Sequence, residues 1–247
     1  MDRYVKRKGL TSSRADDIVE QIKALPTRAV EPIAVNVSED LNIAYEQCYL
    51  PKRLADSVFR YCEATLRYLE GRYTEVTVFN KRHKIPRQQL AMGCPGITYS
   101  FSGNTLPAEP WDQVVLALRD HVAQSTECQY NFILVNRYAS GSDYIGEHRD
   151  NETDLDPNAP ICSLSLGVKR DFWFKHAKRR QRSPDAPSNV LLQLDHGSLL
   201  VMKPPTNHHW YHSLPRRRRQ LGVRVNFTFR KMRTVYGGEW EGERFKN

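Results

Sequence analysis

In the stretch Arg224-Val225-Asn226-Phe227-Thr228-Phe229-Arg230, four polar side chains alternate with three apolar ones. Successive side chains of a strand point to opposite faces, so Arg224, Asn226, Thr228 and Arg230 share one face and Val225, Phe227 and Phe229 the other. Two arginines brought inside on one face require an anion, because unpaired buried charge is too costly to keep. Upstream, the alternation in His148-Arg149-Asp150 puts His148 and Asp150 on one face, and His212 follows far downstream. Two imidazoles and one carboxylate hold a metal from one side and leave three positions open, the facial arrangement that non-haem Fe(II) uses for O2 chemistry. Zinc would favour a closed four-ligand or cysteine-rich set. The anion facing the arginines would then be a dicarboxylate co-substrate.

These residues need strands to position them. Strand-like patterns are expected over 131–138, 161–168, 171–175, 190–193, 198–202 and 222–230, and the first puts Asn136 and Tyr138 on one face with Arg137 opposite. Repeated short strands separated by turns point to a closed or sandwich-like β core, in which distant strands meet and His212 can reach the His148–Asp150 pair. A helix is expected over 51–70, started by Pro51, striped by Leu54, Val58, Cys62, Leu66 and Leu69, and ended by Gly71. A second begins near Pro110, with Trp111, Val114, Val115, Leu118 and Val122 facing inward.

Residues 1–40 are polar and broken by Pro26 and Pro32; Ile18, Val19, Ile22 and Leu25 fall at helical spacing. They read as a flexible arm with a transient helix, followed by one domain over 41–233 and a tail over 234–247. No apolar run approaches the length of a membrane span, and the charged N-terminus lacks a signal peptide's apolar centre. The five cysteines are scattered without a C-x-x-C pair, which fits reduced thiols in a nuclear or cytosolic monomer. A net charge of +9 points to a polyanionic partner. His83, His121, His176, His196, His208 and His209 read as ordinary exposed polar residues.

The order Asn136-Arg137-Tyr138, His148-x-Asp150, His212, Arg224-x-Asn226-x-Thr228-x-Arg230 resembles the AlkB family of Fe(II)/2-oxoglutarate dioxygenases. The likeness runs from about Leu41 to Lys231. Val78-Phe79, Pro86-Arg87, the segments 98–103 and 145–150, and His209–Pro215 resemble the branch that repairs duplex DNA. The resemblance implies an α+β, mainly β fold: a double-stranded β-helix (jelly roll) with N-terminal buttressing helices and a DNA-probing hairpin. It implies Fe(II) on His148, Asp150 and His212, with 2-oxoglutarate and O2 as co-substrates. Arg224 and Tyr138 would take the distal carboxylate of 2-oxoglutarate, and Arg230 and Asn136 its metal-bound end, with Asn226 and Thr228 between. The implied reaction is oxidative removal of N-methyl groups from 1-methyladenine and 3-methylcytosine as formaldehyde.

For the substrate, the resemblance assigns Tyr99 and Phe101 to the base pocket, Phe101 sandwiching the base against His148, with Asn151 and Glu152 at its lip. Asn151 stands where the family branch usually carries an acid, which weakens attraction for cationic bases. Phe79 would wedge into the duplex; Asn80 replaces the usual glycine after it and still tolerates a left-handed turn. Lys81, Arg82, Lys84 and Arg87 would surround the hairpin as phosphate partners. Two further basic runs, Lys175–Arg182 and Arg216-Arg217-Arg218-Arg219, would grip both DNA strands, with Lys175, Arg182, Arg217, Arg218 and Arg219 as contacts. Arg3-Tyr4-Val5-Lys6-Arg7 resembles a motif that binds the replication sliding clamp. The competing readings are a single-strand DNA or RNA demethylase, a non-catalytic reader of damaged nucleic acid, and a protein hydroxylase.

Overall fold

The computed structural model describes residues 12–31, 40–78, 81–101, 104–150 and 152–233. Phe79, Asn80, Asn151, the 3–7 motif and the 234–247 tail lie outside the described residues, as does the side chain of Phe101. Five α-helices, α1 (Ser12–Lys23), α2 (Lys52–Thr65), α3 (Gln113–Thr126), α4 (Ala177–Arg180) and α5 (Thr206–His209), and one 3-10 turn (Gly71–Thr74) accompany fourteen strands among the described residues. The strands are β1 (Ile43–Glu46), β2 (Glu75–Val78), β3 (Lys81–Lys84), β4 (Gln88–Gly93), β5 (Thr98–Phe101), β6 (Asn104–Pro107) and β7 (Phe132–Tyr138). They continue as β8 (Ile145–His148), β9 (Ile161–Gly167), β10 (Arg170–His176), β11 (Val190–Leu194), β12 (Ser198–Met202), β13 (Trp210–Leu214) and β14 (Arg224–Arg230).

Two antiparallel sheets face one another, one ordered β1-β12-β9-β14-β7-β4 and the other β11-β10-β13-β8. The large sheet is covered on both faces, which is why all seven residues of β14 are buried. Its outer face presents Val225, Phe227, Phe229, Ile133, Val135, Leu164 and Leu166 to α1, α2 and α3. Its inner face meets Phe172, Phe174, Trp210 and Leu214 of the small sheet. The polar face of β14 therefore lies between the sheets, as the alternation predicts.

Two helical expectations change. α2 stops at Thr65, short of the expected end at residue 70: Leu66 turns extended and Leu69 N–H bonds the Gln89 carbonyl at 2.8 Å, so the chain leaves the helix to follow β4. The flexible arm does not hold for 12–31. α1 buries Ala15, Ile18 and Ile22 to 4%, 3% and 0% exposure against the other helices. A helix of this length is marginal alone, and tertiary packing supplies what propensity lacks. α3 starts at Gln113, capped by Asp112, whose carboxylate accepts from Val114 and Val115 N–H and from the Tyr61 hydroxyl of α2.

His121 is buried against Tyr49, His176 is buried, and His196 accepts the Gly167 N–H at 2.9 Å while facing Asp56. None of the three is the exposed polar residue expected. No helix among the described residues is long and apolar enough to cross a membrane.

Candidate active site

The small sheet brings the histidines together. β8 and β13 are antiparallel neighbours, and their register sets His148 directly opposite His212. Asp150 follows two residues past the end of β8, so its carboxylate turns back toward both rings: Oδ1 lies 3.6 Å from His148 Nε2 and 4.0 Å from His212 Nε2. His148 Nδ1 bonds the Gly146 carbonyl at 2.9 Å, which leaves Nε2 as the ligating nitrogen. Burial, then the neighbouring His148, pushes His212 down to about 3, so its ring is neutral. Burial alone would raise Asp150, but Arg230 above all, with the two histidines, holds it below its ordinary value. The Asp150 carboxylate and the His212 ring are thus in the protonation states that ligation needs, and His148 converges on both.

The second wall comes from the large sheet. β14 lies between β7 and β9, and its register places Arg224 beside Tyr138 and Asn226 beside Asn136 and Ser165. Arg224 is 1% exposed; Nη2 donates to Ser165 Oγ at 2.9 Å, and its guanidinium lies 5.3 Å from the Tyr138 ring. Its Nε and Nη1 are buried with no hydrogen-bond partner among the described residues. Burial pushes its pKa down to about 10. Each buried donor left unmade costs roughly 1–3 kcal/mol, so this cation is held ready for an anionic guest. Arg230, at the metal end of the strand, already has partners: Nη2 pairs with Asp150 at 2.8 Å and Nη1 with Glu152 at 3.3 Å.

These residues line one cavity of about 810 Å³, which also includes Arg87, Tyr99, Thr228 and Glu152. Tyr99 stacks on Phe132, lies under the Arg230 guanidinium and donates to Glu152 at 2.6 Å. Asn226 donates to Ser163 and the Leu164 carbonyl and accepts from Thr228, so this pair braces the wall as well as lining it.

Residues 43–230 match the 2OG-Fe(II) oxygenase superfamily. The chain belongs to it. It is 51% identical over 182 residues to the mouse protein named DNA oxidative demethylase ALKBH2, covering 73% of this chain and 76% of that one. The human protein of the same name is 47% identical over 196 residues, covering 79% and 75%. Human alpha-ketoglutarate-dependent dioxygenase alkB homolog 3 is 32% identical over 151 residues, 58% of this chain and 52% of that protein. This oxygenase therefore uses Fe(II), 2-oxoglutarate and O2. The converging His148–Asp150–His212 donors and the unsatisfied Arg224 fit a metal and a carboxylate respectively.

The other expected contacts divide. Lys81 is exposed on β3, whose partner β2 forms the expected hairpin. Arg87 Nε donates to Asn136 at 2.8 Å, and the half-buried side chain lines the cavity. Lys175 pairs with Glu147 at 3.2 Å, and Arg182 is exposed. Arg217 is paired with Asp171, which reduces its charge toward a phosphate, and Arg216 lies over the Tyr144 ring. Arg218 and Arg219 are exposed at the turn. The turn is pinned where Arg217 N–H bonds the Gly141 carbonyl at 2.7 Å; a Cβ at residue 141 would overlap the Arg217 carbonyl.

Four further residues, Arg170, Ser163, Ser165 and Asn207, contribute to the site and were not among the expected ones. Arg170, 1% exposed, donates to the carbonyls of Ser140, Asp143 and Pro215 and so ties the β7–β8 connection to the end of β13. Ser163 and Ser165 were visible as small polar residues alternating on one strand face. Asn207 of α5 left no such signal. Its side-chain amide clasps the Asp150 main chain, accepting from N–H at 3.0 Å and donating to the carbonyl. Asn207→Ala is expected to weaken Fe(II) binding about 10- to 100-fold, the usual worth of a group that orients a metal ligand. Iron titration at saturating 2-oxoglutarate checks this, and unchanged affinity would reduce Asn207 to a loop residue.

Proposed function

We propose that this oxygenase removes N-methyl groups from 1-methyladenine and 3-methylcytosine in duplex DNA, and does so in the nucleus. The observation that carries the reading is the single cavity in which the metal donors, Arg224 and the Tyr99–Glu152 pair meet. Likeness to ALKBH2 proteins over about three quarters of both chains supports the substrate class.

When bound, Fe(II) supplies with 2-oxoglutarate the oxidation that puts one O2 oxygen on the methyl carbon and the other on succinate, with release of CO2. The hydroxymethyl base then sheds formaldehyde. For this His148, Asp150 and His212 hold the metal, while Arg224 takes the distal carboxylate of the co-substrate beside Tyr138. Arg230 and Asn136 serve its metal-bound end, where Arg230 also holds Asp150 ionised. Asn226 and Thr228 keep the wall between them. Glu152 Oε2 is buried without a hydrogen bond, which suits a cationic methylated base even with Asn151 in place of an acid. Tyr99 holds Glu152 in place, and Phe101 and Phe79 act as base sandwich and duplex wedge. The 3–7 segment is the expected sliding-clamp contact.

Mass spectrometry of methylated single- and double-stranded oligonucleotides, with Fe(II), ascorbate and 2-oxoglutarate, tests the reading. Demethylation that depends on 2-oxoglutarate and is faster on duplex is expected. Faster repair of single strands would favour the single-strand rival, and succinate release with no base change would overturn both.

A second result concerns salt. Arg218→Ala and Arg219→Ala should each flatten the log–log salt dependence of DNA binding by about 0.9 for the phosphate lost. Arg217→Ala should change it less, because Asp171 already neutralises that guanidinium. An unchanged slope in the Arg218/Arg219 double variant would make these arginines a solvated turn.

A further inference from the structure

The described residues hold two groups of three metal-ligating side chains whose donor atoms lie within 4.8 Å of one another. One is His148–Asp150–His212. The other is Asp40, His176 and His209, from three segments far apart in the chain: the approach to β1, the end of β10 and the last residue of α5. Both consist of two imidazoles and one carboxylate. They are equally contracted where distances can be compared, since His209 Nδ1 lies 3.6 Å from Asp40 Oδ2 and His148 Nε2 lies 3.6 Å from Asp150 Oδ1.

We propose that Asp40, His176 and His209 form a second divalent-cation site, for zinc(II), with water as the fourth ligand. Asp40 and His209 are close enough to form an ion pair, and the His176 ring converges on them: it is 1% exposed, edge-on to Trp210 at 5.0 Å and parallel to the His209 ring at 6.2 Å. A buried imidazole that converges with a carboxylate and a second imidazole is what a zinc ion selects. Both clusters offer the same donor types, and intrinsic affinity ranks Zn(II) above Fe(II) at either, so the second site is distinguished by its place in the fold.

This second cluster lies apart from the catalytic one. None of its three residues lines the 810 Å³ cavity. Its members bridge the entry to β1, the strand that leads into the basic α4 turn, and the helix that leads into His212 on β13. His176 Nδ1 accepts the Lys178 N–H at 3.2 Å, so Nε2 is the nitrogen for the metal. Ligation moves the ring proton from Nε2 to Nδ1 and replaces that one long hydrogen bond with a metal bond. The ion would thus fasten the approach to β1 to the segments that carry the basic α4 turn and His212.

The test counts zinc and cobalt(II) bound by the full-length, tag-free chain, using equilibrium dialysis and elemental analysis. Two equivalents are expected in the parent and one each in His212→Ala, Asp40→Asn and His209→Ala. The intense visible absorption of tetrahedral cobalt should survive in His212→Ala and vanish in the other two variants. Asp40 and His209 are partly exposed, so these replacements spare the core, and iron-dependent succinate formation in them verifies the fold. A single equivalent in the parent, lost in His212→Ala and kept in His209→Ala, would overturn the second site. So would two equivalents that persist in both Asp40→Asn and His209→Ala.

Discussion

His212→Ala should reduce succinate formation by at least about 100-fold, because even groups that merely orient a metal ligand are worth 10- to 100-fold. Three neighbouring histidines lie in His208-His209-Trp210-Tyr211-His212, so sequence proximity alone does not choose among them. The fold does. His212 is 4% exposed, faces His148 across β8 and β13, and is held by Phe172, whose ring stacks on it at 5.5 Å. His208 and His209 sit on α5, on the exposed side of that turn. Asp150→Ala should fail equally, with a second defect. It leaves Arg230 buried with Glu152 as its remaining carboxylate partner, and breaking a buried ion pair costs about 3–5 kcal/mol. Oligonucleotide binding, carried by exposed cations, should persist in both variants. Near-parental turnover in His212→Ala would remove it from the metal site.

Arg224 and Arg230 look alike in the sequence but should respond oppositely to removal. Arg224 is buried without an anion among the described residues, and burial depresses its pKa to about 10. Replacing an uncompensated buried charge by an apolar side chain of similar length relieves that cost, so Arg224→Met should leave the melting temperature of the ligand-free protein unchanged or higher. The same change removes a charge-assisted contact worth roughly 1.5–3 kcal/mol and should raise the 2-oxoglutarate requirement about 10- to 150-fold, with partial rescue at high concentration. Arg230 differs because burial, which would lower its pKa, is outweighed by Asp150, and the net shift is upward. Arg230→Met should therefore destabilise the ligand-free protein as well as impair turnover. Thermal melts and 2-oxoglutarate titrations of the two variants separate these effects. A destabilised Arg224→Met with an unchanged co-substrate requirement would make Arg224 a structural cation.

Much of this was legible in the chain because local periodicity carries it. The alternation in 224–230 determined which face of β14 would be polar, and the extended runs over 132–138, 161–167 and 198–202 announced the large sheet. His148-x-Asp150 placed two ligands on one side by the same two-residue repeat. Helix ends were less legible: α2 yields to a backbone bond from Leu69 to Gln89, a partner that no local pattern reveals. α1 reads as a loose arm because its own residues barely support a helix, and only the apolar surfaces it packs against decide the matter.

The sequence by itself determined the chemistry on offer: a cation pair on one strand face, two imidazoles and a carboxylate, and a basic exterior. What those charges do was decided by the tertiary structure, because the energy of a charge depends on its partner and its distance from water. Pairing made Arg230 the counter-ion of Asp150 and left Arg224 waiting. It joined Arg217 to Asp171 and Arg87 to Asn136, partners that no local pattern in the chain announces. It also gathered Asp40, His176 and His209 from three unrelated stretches, a meeting that only the three-dimensional fold produces.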